Sequence, residues 1–329
     1  MSAALDFPGA REAVARVARV TPLLEVPSLS EALHRPVYAK LECLQVTGSF
    51  KVRGAAARLS ALTPDERARG VVACSSGNHG RAVAWVAGRL GVRATVCVPD
   101  WVDPVKLEGI RADGAEAVLA GPTYDEAEAH AQALAERTGR PFVSAFDDPW
   151  VIAGQGTLAL EILDALHGAP AAILAPLSGG GLIGGIAAAL RWRLGDGAPA
   201  AVAVTAERAG VMLASLRAGH PVELPEEETV AGALSGGIGL DNRHTFALVR
   251  DLVAEHVVVT EAQVRRAMAF AVGELKVVAE GGGATALAAL VHGAWAPPPG
   301  DAPVVVVVSG GNVSPATLAA VLSEASVAG

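Results

Sequence analysis

The sequence predicts an α/β protein made of two doubly wound, open-sheet lobes. Three observations carry the prediction. Short apolar, β-branched runs alternate with longer Ala- and Leu-rich segments of helical period along the chain. Small and hydroxyl-bearing residues gather just after several of the apolar runs, at the end of an open α/β sheet where ligands bind. At 329 residues the chain also exceeds the usual size of a single hydrophobic core.

Taken in order, Val37 to Cys43 reads as a strand and Ser49 to Ser60 as the helix after it. Strands Val71 to Cys74 and Ala94 to Val98 each lead into a helix, His79 to Leu90 and Pro104 to Ala112. Ala117 to Ala120 precedes the helix Tyr124 to Thr138, and Phe142 to Ala145 precedes Trp150 to Leu166. Ala171 to Pro176 and Leu182 to Trp192 form the next pair, with Ala201 to Ala206 a further strand. His256 to Val259 precedes the helix Glu261 to Val272; Ala284 to His292 is helical, Pro303 to Val308 is the last strand and Pro315 to Ala325 the last helix. Cap-like residues mark the starts: Asn78, Asp103 before Pro104, and Thr260 three residues ahead of Gln263. Strands this apolar need both faces buried. Pro221 to Thr229 and Pro297 to Pro303 are surface loops. The layout predicts a large lobe of residues 1–69 with 149–329 and a small lobe of residues 70–148. One helix follows the last strand, so no C-terminal regulatory domain is expected.

A net charge of −8 without a basic face argues against nucleic-acid binding. The N-terminus has no apolar leader core, and no run reaches the roughly 18 apolar residues of a membrane span. A cytoplasmic location, with no membrane contact, is the expectation. Cys43, Cys74 and Cys97 are odd in number and lack C-x-x-C spacing, which predicts buried spectator thiols and no structural metal. Only four lysines stand among 26 basic residues. Lys40, Lys106 and Lys276 read as ordinary solvated side chains, whereas Lys51 sits in a chemically odd place.

That place is KLECLQVTGSFKVRGA, Lys40 to Ala55, where Thr47, Gly48 and Ser49 make a turn and Lys51 falls in the first turn of a helix. The positive end of a helix dipole disfavours an ammonium there, so this lysine reads either as a reactive amine or as one that reaches solvent past the turn. CSSGNHG, Cys74 to Gly80, opens another helix. Its unpaired N–H groups and the Ser75, Ser76 and Asn78 side chains suit a carboxylate; the plainer reading is a Ser/Asn helix cap. His79 alone is more often a structural histidine. PLSGGGLIGG, Pro176 to Gly185, reads as a phosphate cradle. Gly179, Gly181 and Gly184 also satisfy G-x-G-x-x-G with Glu207 at the end of the next strand, so a dinucleotide site remains an alternative. SGGN, Ser309 to Asn312, is the fourth such segment.

TGSFKVRGA, SSGNHG, SGGGL and SGGN, in that order and spacing, resemble the fold type II pyridoxal 5′-phosphate (PLP) enzymes. Within them the chain is similar to the threonine/serine dehydratases (threonine ammonia-lyases) and serine racemase, with VIAGQGTLALEIL, Val151 to Leu163, a further shared stretch. The resemblance runs from Thr21 to Asn312 and implies a tryptophan synthase β-like fold with PLP in the cleft between two lobes. It implies that Lys51 holds the cofactor covalently, Phe50 packs beside the ring, Asn78 bonds the ring hydroxyl and Ser309 faces the ring nitrogen. Gly179, Gly180, Gly181 and Leu182 would hold the phosphate, with Ser178 an added hydroxyl where relatives often have glycine. Ser75, Ser76, Gly77, Asn78 and His79 would meet the substrate, and Glu280 matches an acid found near the cofactor. Ser76 matches the position serine racemase uses on the opposite face of the substrate. The implied reaction removes water and then ammonia from a small amino acid, threonine or serine, leaving a 2-keto acid. Serine racemisation and 3-hydroxyaspartate dehydration stay open, as do, outside the family, a nicotinamide enzyme and a silent amino-acid-binding protein. VAGAL, Val230 to Leu234, departs from the A-D-G of many relatives, and Ala209 to Leu216 lacks the second acid of the relatives' metal site. No metal is therefore expected. Family members are commonly homodimers, so a homo-oligomer is expected.

Overall fold

The computed structural model describes residues 5–327 apart from residues 101 and 103. The Asp103 cap and the Lys106 side chain therefore lie outside the described residues. The strands are β1 (Leu23–Glu25), β2 (Val37–Leu41), β3 (Val71–Cys74), β4 (Ala94–Val98), β5 (Glu116–Leu119), β6 (Ala172–Pro176), β7 (Ala200–Ala206), β8 (Glu255–Val259) and β9 (Val304–Val308). The first seven helices are α1 (Phe7–Val17), α2 (Pro27–Leu33), α3 (Lys51–Ser60), α4 (Pro64–Arg69), α5 (Asn78–Leu90), α6 (Pro104–Ala112) and α7 (Tyr124–Thr138). They continue with α8 (Pro149–Leu166), α9 (Gly181–Leu194), α10 (Val211–Ala218), α11 (Thr245–Leu252), α12 (Glu261–Gly273), α13 (Gly281–Val291) and α14 (Pro315–Val327).

These elements fall into two compact units, each with its own sheet. One comprises the chain through Arg19 together with Lys51–Gln155; the other comprises Val20–Phe50 and the chain from Gly156 onward. The division differs from the expected lobes, which put residues 1–69 with the larger one. The reason is packing: α3 lies against α1 and α5, so the segment from Lys51 is carried by the smaller sheet's unit.

In that unit β3, β4 and β5 form a three-stranded, all-parallel sheet in sequence order. Alternate residues of a strand share a face, and Val72 and Cys74 of β3 with Cys97 of β4 receive Ala127, Ala131 and Ala135 of α7. In the second unit the order is β1-β2-β9-β6-β7-β8, parallel except for β1, which pairs antiparallel with β2. Helix α13 runs across it with every residue from Gly281 to Leu290 buried. The expectation that both strand faces are buried holds for β3, β4, β6 and β9. It fails at the sheet edges, where β5 and β8 are largely open. Among the described residues no helix is long and apolar enough to cross a membrane. The three cysteines are free and buried, and burial pushes the Cys43 and Cys74 thiols up to about 12.

Candidate active site

In the six-stranded sheet β2, β9 and β6 are consecutive parallel neighbours, so their C-terminal ends share one edge. Three of the four Gly/Ser segments leave from that edge: Thr47–Phe50 past the end of β2, Ser309–Asn312 after β9, and Leu177–Gly180 after β6. Two of them are stitched together. Phe50 N–H donates to the Ser309 carbonyl (3.0 Å), Gly311 N–H to the Gly48 carbonyl (2.9 Å), and the Asn312 side chain to the Thr47 carbonyl (2.8 Å). Ser309 is 4% exposed, and its hydroxyl has no hydrogen-bond partner among the described residues.

The third segment ends at Gly180, whose φ of 83° makes it the N-cap of α9. That left-handed conformation favours glycine and brings no side chain to the cap. The N–H groups of Gly181, Leu182 and Ile183 therefore face outward at the positive end of a buried helix, a donor set that fits a phosphate. Gly179 is buried just ahead of the cap. Ser178 behaves differently from the expectation: its hydroxyl donates to the Leu234 carbonyl at 2.8 Å. Its proton is spent on a neighbouring turn rather than offered to an anion.

Glu280 is the N-cap residue of α13, with its own N–H on the Gly310 carbonyl at 3.0 Å. The glycines after it have a steric cause that the sequence alone does not expose. A Cβ on Gly281 would stand 2.1 Å from the Val230 carbonyl oxygen, and one on Gly283 would stand 2.0 Å from that of Gly310. Backbone meets backbone there, so only glycine fits. The Glu207 carboxylate accepts the Glu261 N–H at 2.8 Å. Lys40, expected to be solvated, is 1% exposed and donates to the Thr21 carbonyl (2.8 Å) and to Glu161 (2.6 Å). Burial on β2 leaves its ammonium no water, so a carboxylate must replace it.

The other unit carries the remaining candidates. Ser75 to Gly77 link β3 to α5, and the Ser75 Oγ accepts the Gly77 N–H at 3.1 Å. Asn78, expected to cap α5, is instead its first residue; Gly77 is the N-cap and no side chain caps the helix. The Ser/Asn-cap reading fails for that reason, since no side chain caps the first turn. The Ser76 hydroxyl has no hydrogen-bond partner among the described residues. The His79 ring is buried and its Nε2 donates to the Val143 carbonyl at 2.9 Å. Burial, and after it the positive charge of Lys51, lowers its pKa to about 3.

Lys51 is the first residue of α3, and its Nζ donates to the Ala145 carbonyl at 2.8 Å. Helix α3 is held by groups the sequence reading passed over. Gln155, 1% exposed on α8, accepts the Gly54 N–H at 3.2 Å. The crossing is so close that a Cβ on Gly154 would lie 2.5 Å from the Arg53 carbonyl oxygen. A lone glutamine within the apolar run of VIAGQGTLALEIL was the available signal, since a buried amide needs a partner.

Phe142 to Ala145, expected as a strand, makes one bridge, Val72 with Phe142. A further parallel rung would have the Val143 and Cys74 carbonyls accept ladder N–H groups. Instead the Val143 carbonyl takes the His79 ring and the Cys74 carbonyl takes the Tyr124 hydroxyl at 3.5 Å. The strand ends where the site's side chains claim its hydrogen bonds.

Comparisons with known proteins identify the family. Residues 14–310 match the family model "Pyridoxal-phosphate dependent enzyme". Among relatives, the L-threonine ammonia-lyase of Geobacter sulfurreducens is 39% identical over 312 residues, covering 94% of this chain and 75% of its own. Among solved structures, maize serine racemase superposes with a TM-score of 0.87 at 31% identity, covering 98% of both chains. The processed form of threonine deaminase isoform 2 from Solanum lycopersicum also gives 0.87, at 32% identity, covering 98% of this chain and 88% of its own. Within the six-stranded unit, the amides at the start of α9 and the Ser309 hydroxyl are donors of the kind that a phosphate and a ring nitrogen accept. This chain belongs to the family of pyridoxal-phosphate-dependent enzymes, and its fold is that of the fold type II members.

Proposed function

We propose that the enzyme is an ammonia-lyase acting on a β-hydroxy amino acid, threonine or serine, and yielding a 2-keto acid and ammonia. The observation that carries the reading is Lys51: one of four lysines, it opens α3 and donates from its amine to the Ala145 backbone carbonyl. The relatives named as threonine ammonia-lyases and deaminases support the choice of reaction.

In this reading Lys51 anchors PLP, and the N–H groups around Gly179, Gly180, Gly181 and Leu182 hold its phosphate. Phe50 would pack beside the ring, Asn78 would bond its hydroxyl, Ser309 would face its nitrogen, and Glu280 would lie nearby. When bound, PLP supplies an electron sink that makes the substrate Cα–H acidic. Ser309 is neutral, so its hydroxyl bonds a ring nitrogen without compelling a positive charge there. The substrate carboxylate would be held at the start of α5 by the amides of Ser75 to His79 and the side chains of Ser75, Ser76 and Asn78. Lys51 would take the Cα proton at Nζ and return it to the β-hydroxyl, which would then depart as water. The released enamine hydrolyses to the 2-keto acid and ammonia. Assaying keto-acid release from L- and D-serine, threonine and 3-hydroxyaspartate tests the reading; release from none of them overturns it.

A second reading, serine racemisation on the same site, is favoured by the Ser76 hydroxyl, which is unengaged among the described residues and so open to act as a second acid or base. Conversion of L- to D-serine that Ser76→Ala abolishes is its test. The assembly proposed is a homodimer, checked by light scattering.

A further inference from the structure

His79 performs no proton transfer in the chemistry proposed above, yet its ring is buried beside Lys51. The partner of its Nε2 is a carbonyl oxygen, which only accepts, so Nε2 carries the ring proton and Nδ1 is bare. The carbonyl belongs to Val143, and two residues further on the Ala145 carbonyl receives Lys51 Nζ. The segment between them is fastened at both ends. Upstream, the Val143 N–H donates to the Val72 carbonyl (2.8 Å) and the Val72 N–H to that of Pro141 (3.0 Å). Downstream, the Ser144 hydroxyl accepts the N–H groups of Phe146 (3.4 Å) and Asp147 (3.0 Å), bending the chain out of the ladder. Where a continued strand would have supplied ladder bonds, the imidazole supplies one.

From this arrangement we infer that His79 is a positioning residue for Lys51: by holding the Val143 carbonyl it sets the Ala145 carbonyl where the freed lysine amine docks. The inference rests on the reading of Lys51 as the PLP anchor. An amine released during turnover needs an acceptor at fixed distance if it is to approach Cα and afterwards recapture the cofactor, and Ala145 provides it. The ring must stay neutral in this role, because an imidazolium would set a second positive charge against the amine. The geometry therefore asks for a single N–H donor at the Nε2 position and nothing more.

A glutamine amide reaches about as far as that nitrogen, so His79→Gln keeps the donor while His79→Leu removes it. In purified holoenzyme, His79→Leu should lower kcat about tenfold with KM within about twofold, the loss of one buried hydrogen bond felt only in turnover. The resting near-visible absorbance of the cofactor should also return about tenfold more slowly after a single turnover, and His79→Gln should restore most of both rates. Ser144→Ala, which loosens the same segment from its other end, should slow the return by a smaller factor. A folded His79→Leu protein with an unchanged return rate overturns the inference, as does a His79→Gln protein as slow as His79→Leu. If His79→Leu does not fold, an unchanged return rate in Ser144→Ala overturns it alone. Borohydride reduction separates the two levels: failure to attach a pyridoxyl group to Lys51 in the unaltered protein removes the reading beneath, whereas attachment with indifferent His79 variants removes only this inference.

Discussion

The two units hold their candidate site groups by opposite means. In the six-stranded unit those groups are mainly backbone amides and one serine hydroxyl, held by glycines pressed directly against neighbouring main chain at Gly281, Gly283 and Gly311. In the three-stranded unit they are side chains, Lys51 and His79, each hydrogen-bonded to one irregular segment. A backbone cradle is specified sterically: it tolerates no added carbon, and it is blind to the chemistry of the residues that build it. A side-chain arrangement tolerates small shifts and depends on each functional group. Damage to the first should therefore appear as lost stability and cofactor binding, and damage to the second as lost turnover.

Four changes sharpen that contrast, beginning with the largest. Lys51→Ala should lower keto-acid production by at least about a thousandfold while leaving the urea midpoint nearly unchanged, because it deletes a reacting group and no packing. Gly283→Ala should do the reverse. With a Cβ forced to 2.0 Å from the Gly310 carbonyl oxygen, it should destabilise the protein by about 3 kcal/mol in urea denaturation and weaken PLP retention through the adjoining Ser309.

Acidification probes the buried imidazole. His79 titrates near 3 when folded and at 6.5 otherwise, so between those values the unfolded chain binds the extra proton and unfolding is favoured as pH falls. This one group should cost up to about 1.4 kcal/mol per pH unit across that window, and none above it. Acid unfolding of His79→Gln should lack that slope. Smallest is Ser178→Ala: with the hydroxyl proton already given to Leu234, the change should cost about 1 kcal/mol of stability and shift the PLP dissociation constant by less than about threefold. A larger loss of PLP affinity would return Ser178 to the phosphate cradle.

Much of the fold was legible because it is written in local pattern. Eight expected strands stand within two residues of their predicted ends, and the Thr260 box forms with Gln263 as the spacing required. Other local signals went unread. Thr63 with Glu66 forms a capping box ahead of α4, and Asp6 caps α1. Both helices were missed because short, charge-rich segments lack an apolar stripe long enough to stand out. The failures at Phe142 to Ala145, Lys40 and Asn78 have a different origin. The first two depend on a partner far along the chain, His79 and Lys51 for the one and Glu161 for the other, while at the third Gly77 takes the N-cap position and Asn78 becomes the first helical residue.

By itself the sequence determined which segments are strands and helices, that Gly/Ser turns follow the strands, and that one lysine stands apart from three others. Those are properties of short windows, set by side-chain periodicity and backbone preference. Only the tertiary structure decided that β2, β9 and β6 lie side by side, which brings three of those turns to one edge. It also decided that the Ser178 hydroxyl donates to the Leu234 carbonyl, and that a would-be strand gives its carbonyls to His79 and Lys51. Hydrogen bonds between residues tens to hundreds of positions apart leave no trace in local pattern, because either partner alone looks like any other buried polar group.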